Sequence, residues 1–151
     1  MAKHIWTIVC RKAVVDAANN LSIIDVTEEV GVFPEPPITP EPPAPPGAKI
    51  MLPIEITIVS YWTRENRHKE ETAKQRLQLL GPDGKLIGGG EGLIDLTKVA
   101  NARVMAQLPG IPYSGFGVYL FEISRPEKTE WTPVASIPIL LKLGPDPSVR
   151  N

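Results

Sequence analysis

The chain has 151 residues, a formal net charge of −1 and a hydrophobic fraction of 42%. That length and composition describe one globular domain with enough apolar material for a core, and the near-zero charge argues against an overall electrostatic pull toward nucleic acid or anionic lipid. A single cysteine excludes an intrachain disulfide, and no run reaches the ~18 apolar residues that a membrane-spanning helix requires.

The apolar run Ile5–Cys10 opens the chain. It is too short for a signal-peptide core and is interrupted by Arg11 and Lys12. A cytoplasmic location is the expectation that follows. His4–Val15 reads as a strand, with Cys10 a small buried hydrophobe. Asp16–Asn20 reads as a turn, because Asn tolerates the left-handed backbone region. A second strand is expected over Leu21–Val32.

Between Pro34 and Pro46 every third residue is proline: Pro34, Pro37, Pro40, Pro43 and Pro46. Proline fixes φ and lacks the N–H, so this stretch is neither helix nor interior strand; its natural state is polyproline II, with three residues per turn. At about 3.1 Å per residue it spans roughly 40 Å. We treat 34–48 as an insert within a single domain of residues 1–151. Three readings stand: a stiff strap packed on the domain, a docking site for a polyproline reader, or a loose linker. Glu35 and Glu41 are the wrong charges for the commonest such readers, and the insert lies inside the domain, so the strap is the leading reading.

Two-residue alternation dominates from Ile54 onward. Ile54, Ile56 and Ile58 share a face, as do Leu77 and Leu79, then Tyr119, Phe121 and Ile123, and finally Ile137, Ile139, Leu141 and Leu143. This is the pattern of strands with one face on a core. Gly81-Pro82-Asp83-Gly84 is a turn, Arg64–Arg76 a charged solvated hairpin loop, and Gly88–Gly92 a bulge or flexible turn. Thr97–Leu108 fits a strand, with a helical turn near Thr97–Ala100. Pro138 marks an edge strand or a bulge. The expected fold is all-β: one antiparallel β-sandwich of seven to nine strands with a polyproline II crossover.

Chemistry-bearing patterns are sparse. His4 and His68 are the only histidines and lie far apart in sequence; there is no HxH, HExxH or CxxC spacing for zinc, and no triad can be assembled. The glycine run lacks the Lys-Ser/Thr that closes a phosphate loop. Asp16, Asn19, Asn20, Asp83, Glu91 and Asp95 are loop oxygens of the kind calcium takes, yet they do not cluster. No catalytic, metal or cofactor residue is assigned. Trp62, Arg64, Arg67 and His68, with Trp131, form a candidate interaction surface, since aromatics beside arginines suit a protein hot spot or sugar stacking. The leading reading is that both tryptophans pack at the ends of the domain.

Three local patterns carry a resemblance: Ala13–Asp16 followed by Asn20-Leu21-Ser22-Ile23-Ile24 and Phe33-Pro34; Leu79-Leu80-Gly81-Pro82-Asp83-Gly84-Lys85; and Leu108-Pro109-Gly110-Ile111-Pro112-Tyr113 before Gly117–Ile123. With these the chain resembles a family of small uncharacterised bacterial all-β proteins, a domain of unknown function. The resemblance implies an Ig-like or C2-like sandwich and brings no activity with it. The functional expectation is a non-enzymatic binding or structural module with a protein partner, itself or another. A sandwich binding a small ligand or carbohydrate through Trp62 and Trp131 is the alternative, and an unrecognised enzyme the third.

Overall fold

The computed structural model describes residues 1–32 and 50–144. The strap and docking readings of Pro34, Pro37, Pro40, Pro43 and Pro46 lie outside these residues. Among them there are eleven strands and no helix: β1 (Lys3–Val15), β2 (Leu21–Val26), β3 (Glu29–Val32), β4 (Met51–Leu52), β5 (Ile56–Thr63), β6 (Glu71–Leu80), β7 (Leu86–Leu96), β8 (Asn101–Leu108), β9 (Ile111–Pro112), β10 (Gly117–Glu127) and β11 (Glu130–Leu143). They form a four-stranded sheet β2-β1-β5-β8, a five-stranded sheet β3-β11-β10-β6-β7 and a short ladder β4-β9.

The chain is all-β, as expected, but the pairing is not wholly antiparallel and the strand number exceeds nine. The parallel pairing and one of the added strands have the same origin, and the short β4 and β9 add to the count. The expected second strand, Leu21–Val32, is two strands. Its first half pairs antiparallel with β1, and its second half pairs parallel with β11 in the other sheet. The switch occurs at Asp25, whose φ of 54° is in the left-handed region. Thr27 N–H still donates to Val9 O of the first sheet at 2.9 Å, while Glu28 O already accepts from Leu140 N–H of the second at 2.9 Å.

Alternation along the strands places one face of each large sheet on a shared core. Ile56, Ile58 and Trp62 of β5 meet Leu77, Leu79, Phe121, Ile123, Ile139 and Leu141 of the second sheet. Burying an aliphatic or aromatic side chain of this size contributes about 1.5–3 kcal/mol. One polar group is admitted. The Gln75 side chain, on β6, is buried, and its Oε1 accepts from Trp62 Nε1–H at 2.8 Å and from Ser60 Oγ–H at 2.5 Å. This carboxamide therefore joins the two sheets across the core and fixes the ring of Trp62.

The ladder β4-β9 closes one end of the core, with Ile54 and Ile111 buried beneath it. Gly110 is required there: a Cβ at this position would lie 2.8 Å from Leu52 O. Tyr119, buried at the same end, accepts from Ser114 N–H and donates to Gly115 O, both at 2.8 Å, which pins the loop before β10. The glycine run, expected to form a bulge or a flexible turn, lies within β7, paired with β6, and an extra residue at Ile87 bulges β7 directly before it. Gly92 leaves room for Val104 where the two sheets meet along β7 and β8; a Cβ would be 3.1 Å from Val104 Cγ1.

The four-stranded sheet also curls on its other face. Val59 and Cys10 point away from the shared core, yet both are 0% exposed. By register Arg103 lies opposite Tyr61, whereas the β1–β2 hairpin leaves the sheet at Cys10, opposite Thr57. The hairpin tip nevertheless reaches Arg103: Nη1 donates to Asn19 Oδ1 at 3.0 Å, and both Nη1 and Nη2 donate to Asn19 O at 3.2 Å. The hairpin must bend back over this face, with Val15 beside Tyr61 and Met105. Asn19 is in the left-handed region, φ 63°, which turns its carbonyl toward Arg103. Stacking of Trp6 on Tyr61, with centroids 5.3 Å apart, completes a second small apolar cluster.

Two outcomes test these contacts. Gln75→Leu leaves the indole N–H and the Ser60 hydroxyl without an acceptor, and urea unfolding should show a loss of about 2–4 kcal/mol; a loss under about 0.5 kcal/mol would mean that the bridge is dispensable. Arg103→Ala should speed amide exchange across residues 11–24 and alkylation of Cys10 by about fivefold, equivalent to roughly 1 kcal/mol, with the shared core unaffected. Unchanged exchange would show that the hairpin is held by other contacts.

Candidate functional site

The residues singled out from the sequence are not brought together. Trp62 is fully buried between the sheets and offers no ring face to a ligand. The reason is its position: it alternates with Ser60 and Ile58 on the core face of β5, and its N–H is taken by Gln75. Arg64 is also internally committed. Its Nε donates to Leu96 O at 2.7 Å, Nη2 to Thr97 O at 2.8 Å and Nη1 to Arg67 O at 3.1 Å, so it clamps the loop between β5 and β6 onto the β7–β8 turn. Arg67 and His68 are exposed in that loop. Trp131 begins β11, paired with Pro126, on the face of the five-stranded sheet turned away from the shared core. The Arg76 guanidinium lies over its ring at 4.7 Å. Trp62 and Trp131 thus belong to opposite faces of different layers.

An apolar concavity lies elsewhere, on the side where the chain changes sheets. After Val26 the chain departs for the second sheet, which leaves the β1 edge from Lys3 to Ile8 uncovered by β2. Because β3 joins β11 only from Leu140 onward, the earlier part of that strand's edge is uncovered as well. These two edges face each other across a groove of about 460 Å³ lined by Thr7–Val9, Val26–Glu29, Val118, Ile137, Pro138 and Leu140. The crossing segment at Thr27 and Glu28 closes one end. Arg125 Nη1, donating to Ala2 O at 3.1 Å, ties the sheets together beyond the other. Two apolar side chains stand exposed at the rim, Val26 at 61% and Val118 at 48%.

Both lips are irregular. Register requires an extra residue on β1 at Ile5, between the pairs His4–Trp62 and Trp6–Tyr61, and another on β11 at Val134, between Ala135–Ile123 and Pro133–Ser124. Bulges of this kind bend a strand and interrupt its ladder. On β11 the N–H of Leu140 points outward to Glu28 O. Alternation gives the next outward position to residue 138, a proline with no N–H.

Polar groups at the groove are few and unlike one another. The Thr7 hydroxyl and His4 Nε2 are 2.8 Å apart. His4 stands edge-on to Trp62, with centroids 5.1 Å apart. Glu29 is ion-paired with Lys142, and Glu28 makes no ion pair among the described residues. No group of three His, Cys, Asp or Glu among the described residues is placed to hold a metal ion, and no described helix is long and apolar enough to cross a membrane.

The sequence reading missed this site because it took Leu21–Val32 as one strand. The signal was present: Asp25, Thr27, Glu28 and Glu29 interrupt an apolar run at the point where the backbone changes partner.

Burial holds the imidazole of His4 below its ordinary value of 6.5, a backbone hydrogen bond at Trp6 opposing this only in part. The unfolded chain therefore binds the proton first as the pH falls, so His4 lowers stability progressively below about pH 6.5 and has no effect above it. His4→Gln should flatten the decline in urea-derived stability between about pH 6.5 and 5; an unchanged slope would show that the imidazole does not sense folding. No family model, curated protein or solved structure matches the chain.

Proposed function

We propose that the protein is a non-enzymatic binding module that acts through another protein, and that the groove between β1 and β11 receives an extended segment of that partner. The fold is read as a β-sandwich of the Ig-like or C2-like kind, in keeping with the resemblance to small bacterial all-β proteins. The observation that carries the functional reading is the groove itself: an apolar trough of about 460 Å³ between two uncovered strand edges, with Val26 and Val118 exposed at its rim. Exposed apolar side chains gathered around a concavity favour a protein contact, because their desolvation is the main favourable term in association. The trough runs between two strand edges and is open to solvent, which suits a chain segment laid along it. The saccharide reading retains Trp131, whose ring is already covered by Arg76, and loses Trp62 to the core.

A random-sequence peptide library selected on the immobilised protein tests this. Amide shifts of the labelled protein with a selected peptide should cluster at Thr7–Val9, Val26–Glu29 and Ile137–Leu140. The exposure of Val26 and Val118 means that the double variant Val26→Lys, Val118→Lys keeps the fold, and it should weaken binding at least about tenfold, or 1.4 kcal/mol. Selected peptides that shift a different surface, or a library that yields none, would overturn the proposal.

A further inference from the structure

We infer that the segment received by this groove is basic as well as apolar and is held by its side chains, not by adding a strand to either sheet; the inference rests on the groove being a protein-docking site. Strand addition needs a run of outward N–H and C=O groups in register. Neither lip supplies one. On β1, Val9 O is already bonded to Thr27 N–H, and the bulged Ile5 breaks the lane at the other side, so Thr7 alone presents an outward pair between them. On β11, the bulge at Val134 and the missing N–H of Pro138 leave Ser136 alone with both groups. Bulges and edge prolines are the devices by which sheets refuse further strands. An occupant must therefore be recognised by what its side chains touch.

Those contacts are apolar along the walls and acidic at the closed end. Glu28 lines the groove, is exposed, and has no ion-pair partner among the described residues. Glu29, also in the lining, is matched by Lys142, which leaves the Glu28 carboxylate as the unmatched charge of the groove. A cation on the partner segment, placed beside one or two large apolar residues that fill the space against Ile8, Ile137 and Leu140, completes both requirements. The exposed position of Glu28 leaves the pairing partly screened, so its contribution depends on salt.

The test uses peptides from the same random library. Those that map to the groove should carry Lys or Arg next to Leu, Ile, Met or Phe. Their affinity should fall at least about fivefold between roughly 50 and 500 mM salt. Glu28→Gln should weaken them about threefold and remove most of that salt dependence, and selection on Glu28→Lys should yield acidic peptides instead. N-methylation of single peptide bonds along a selected peptide should change affinity by less than about threefold, whereas strand addition would lose more than about tenfold at alternate positions. Groove-binding peptides that are uncharged or acidic on the native protein, or that fail on N-methylation at alternate positions, would overturn this inference and leave the docking groove standing. Absence of any peptide that maps to the groove would overturn the groove itself.

Discussion

One stretch of chain serves two sheets, and the shape of the molecule on that side follows from it. Leu21–Val26 is bonded to β1 and Glu29–Val32 to β11, with one hydrogen bond to each sheet from the adjoining residues Thr27 and Glu28. A strand that paired with β1 along its whole length would have covered the edge at Thr7 and left β11 without a neighbour at Leu140. A strand that ended at Val26 would have left the sheets untied along this side. The left-handed backbone at Asp25 is the local condition for the switch, and Asp is among the few residues other than glycine that adopt it readily. The groove is the space between the two lanes that this one strand only half fills.

The opposite side of the molecule shows a different solution. Between β7 and β8 no strand crosses over; instead the sheets are joined by a turn and drawn together where Gly92 leaves space for Val104. Arg64 adds two hydrogen bonds from its guanidinium to main-chain carbonyls of that turn and a third to Arg67 O of its own loop. An arginine used in this way satisfies carbonyls that the turn would otherwise leave without donors, and its planar fork suits the task better than a lysine. One side of the core is thus closed by close approach and the other is bridged and left partly open.

Much of this was legible in the sequence, and the residues that were misread share a physical cause. Alternation identified the core positions of β5, β6, β10 and β11, because a half-buried strand has no freedom in which side faces in. The Asp16–Asn20 and Gly81–Gly84 turns were readable from residues whose backbone preferences are strong, and Thr97–Leu108 was correctly assigned to a strand at Asn101–Leu108. Arg64 and Arg67 beside it place Trp62 in a candidate surface, while the leading reading packs it at an end of the domain. Its burial depends on Gln75, which lies on another strand, and a contact of that kind leaves no trace in local pattern. Glycine content alone reads Gly88–Gly92 as a bulge or a flexible turn; pairing with β6 keeps the run in a strand, bulged beside it at Ile87, and pairing is non-local. The groove was hidden for the same reason, since it is made by which edges remain uncovered and not by any residue type.

The two ties that bound the groove, Thr27 N–H to Val9 O and Arg125 to Ala2 O, each end on a main-chain oxygen. The spacing there is held by a main-chain bond at one end and by a single arginine at the other, and the side chains that line the groove do not determine it. Val26, Val118 and Glu28 can each be exchanged for a residue of different size or charge without moving either tie. A surface built this way is free to drift in what it recognises while the scaffold stays constant, which makes the seam the part of this fold where new binding preferences can evolve at the smallest cost in stability.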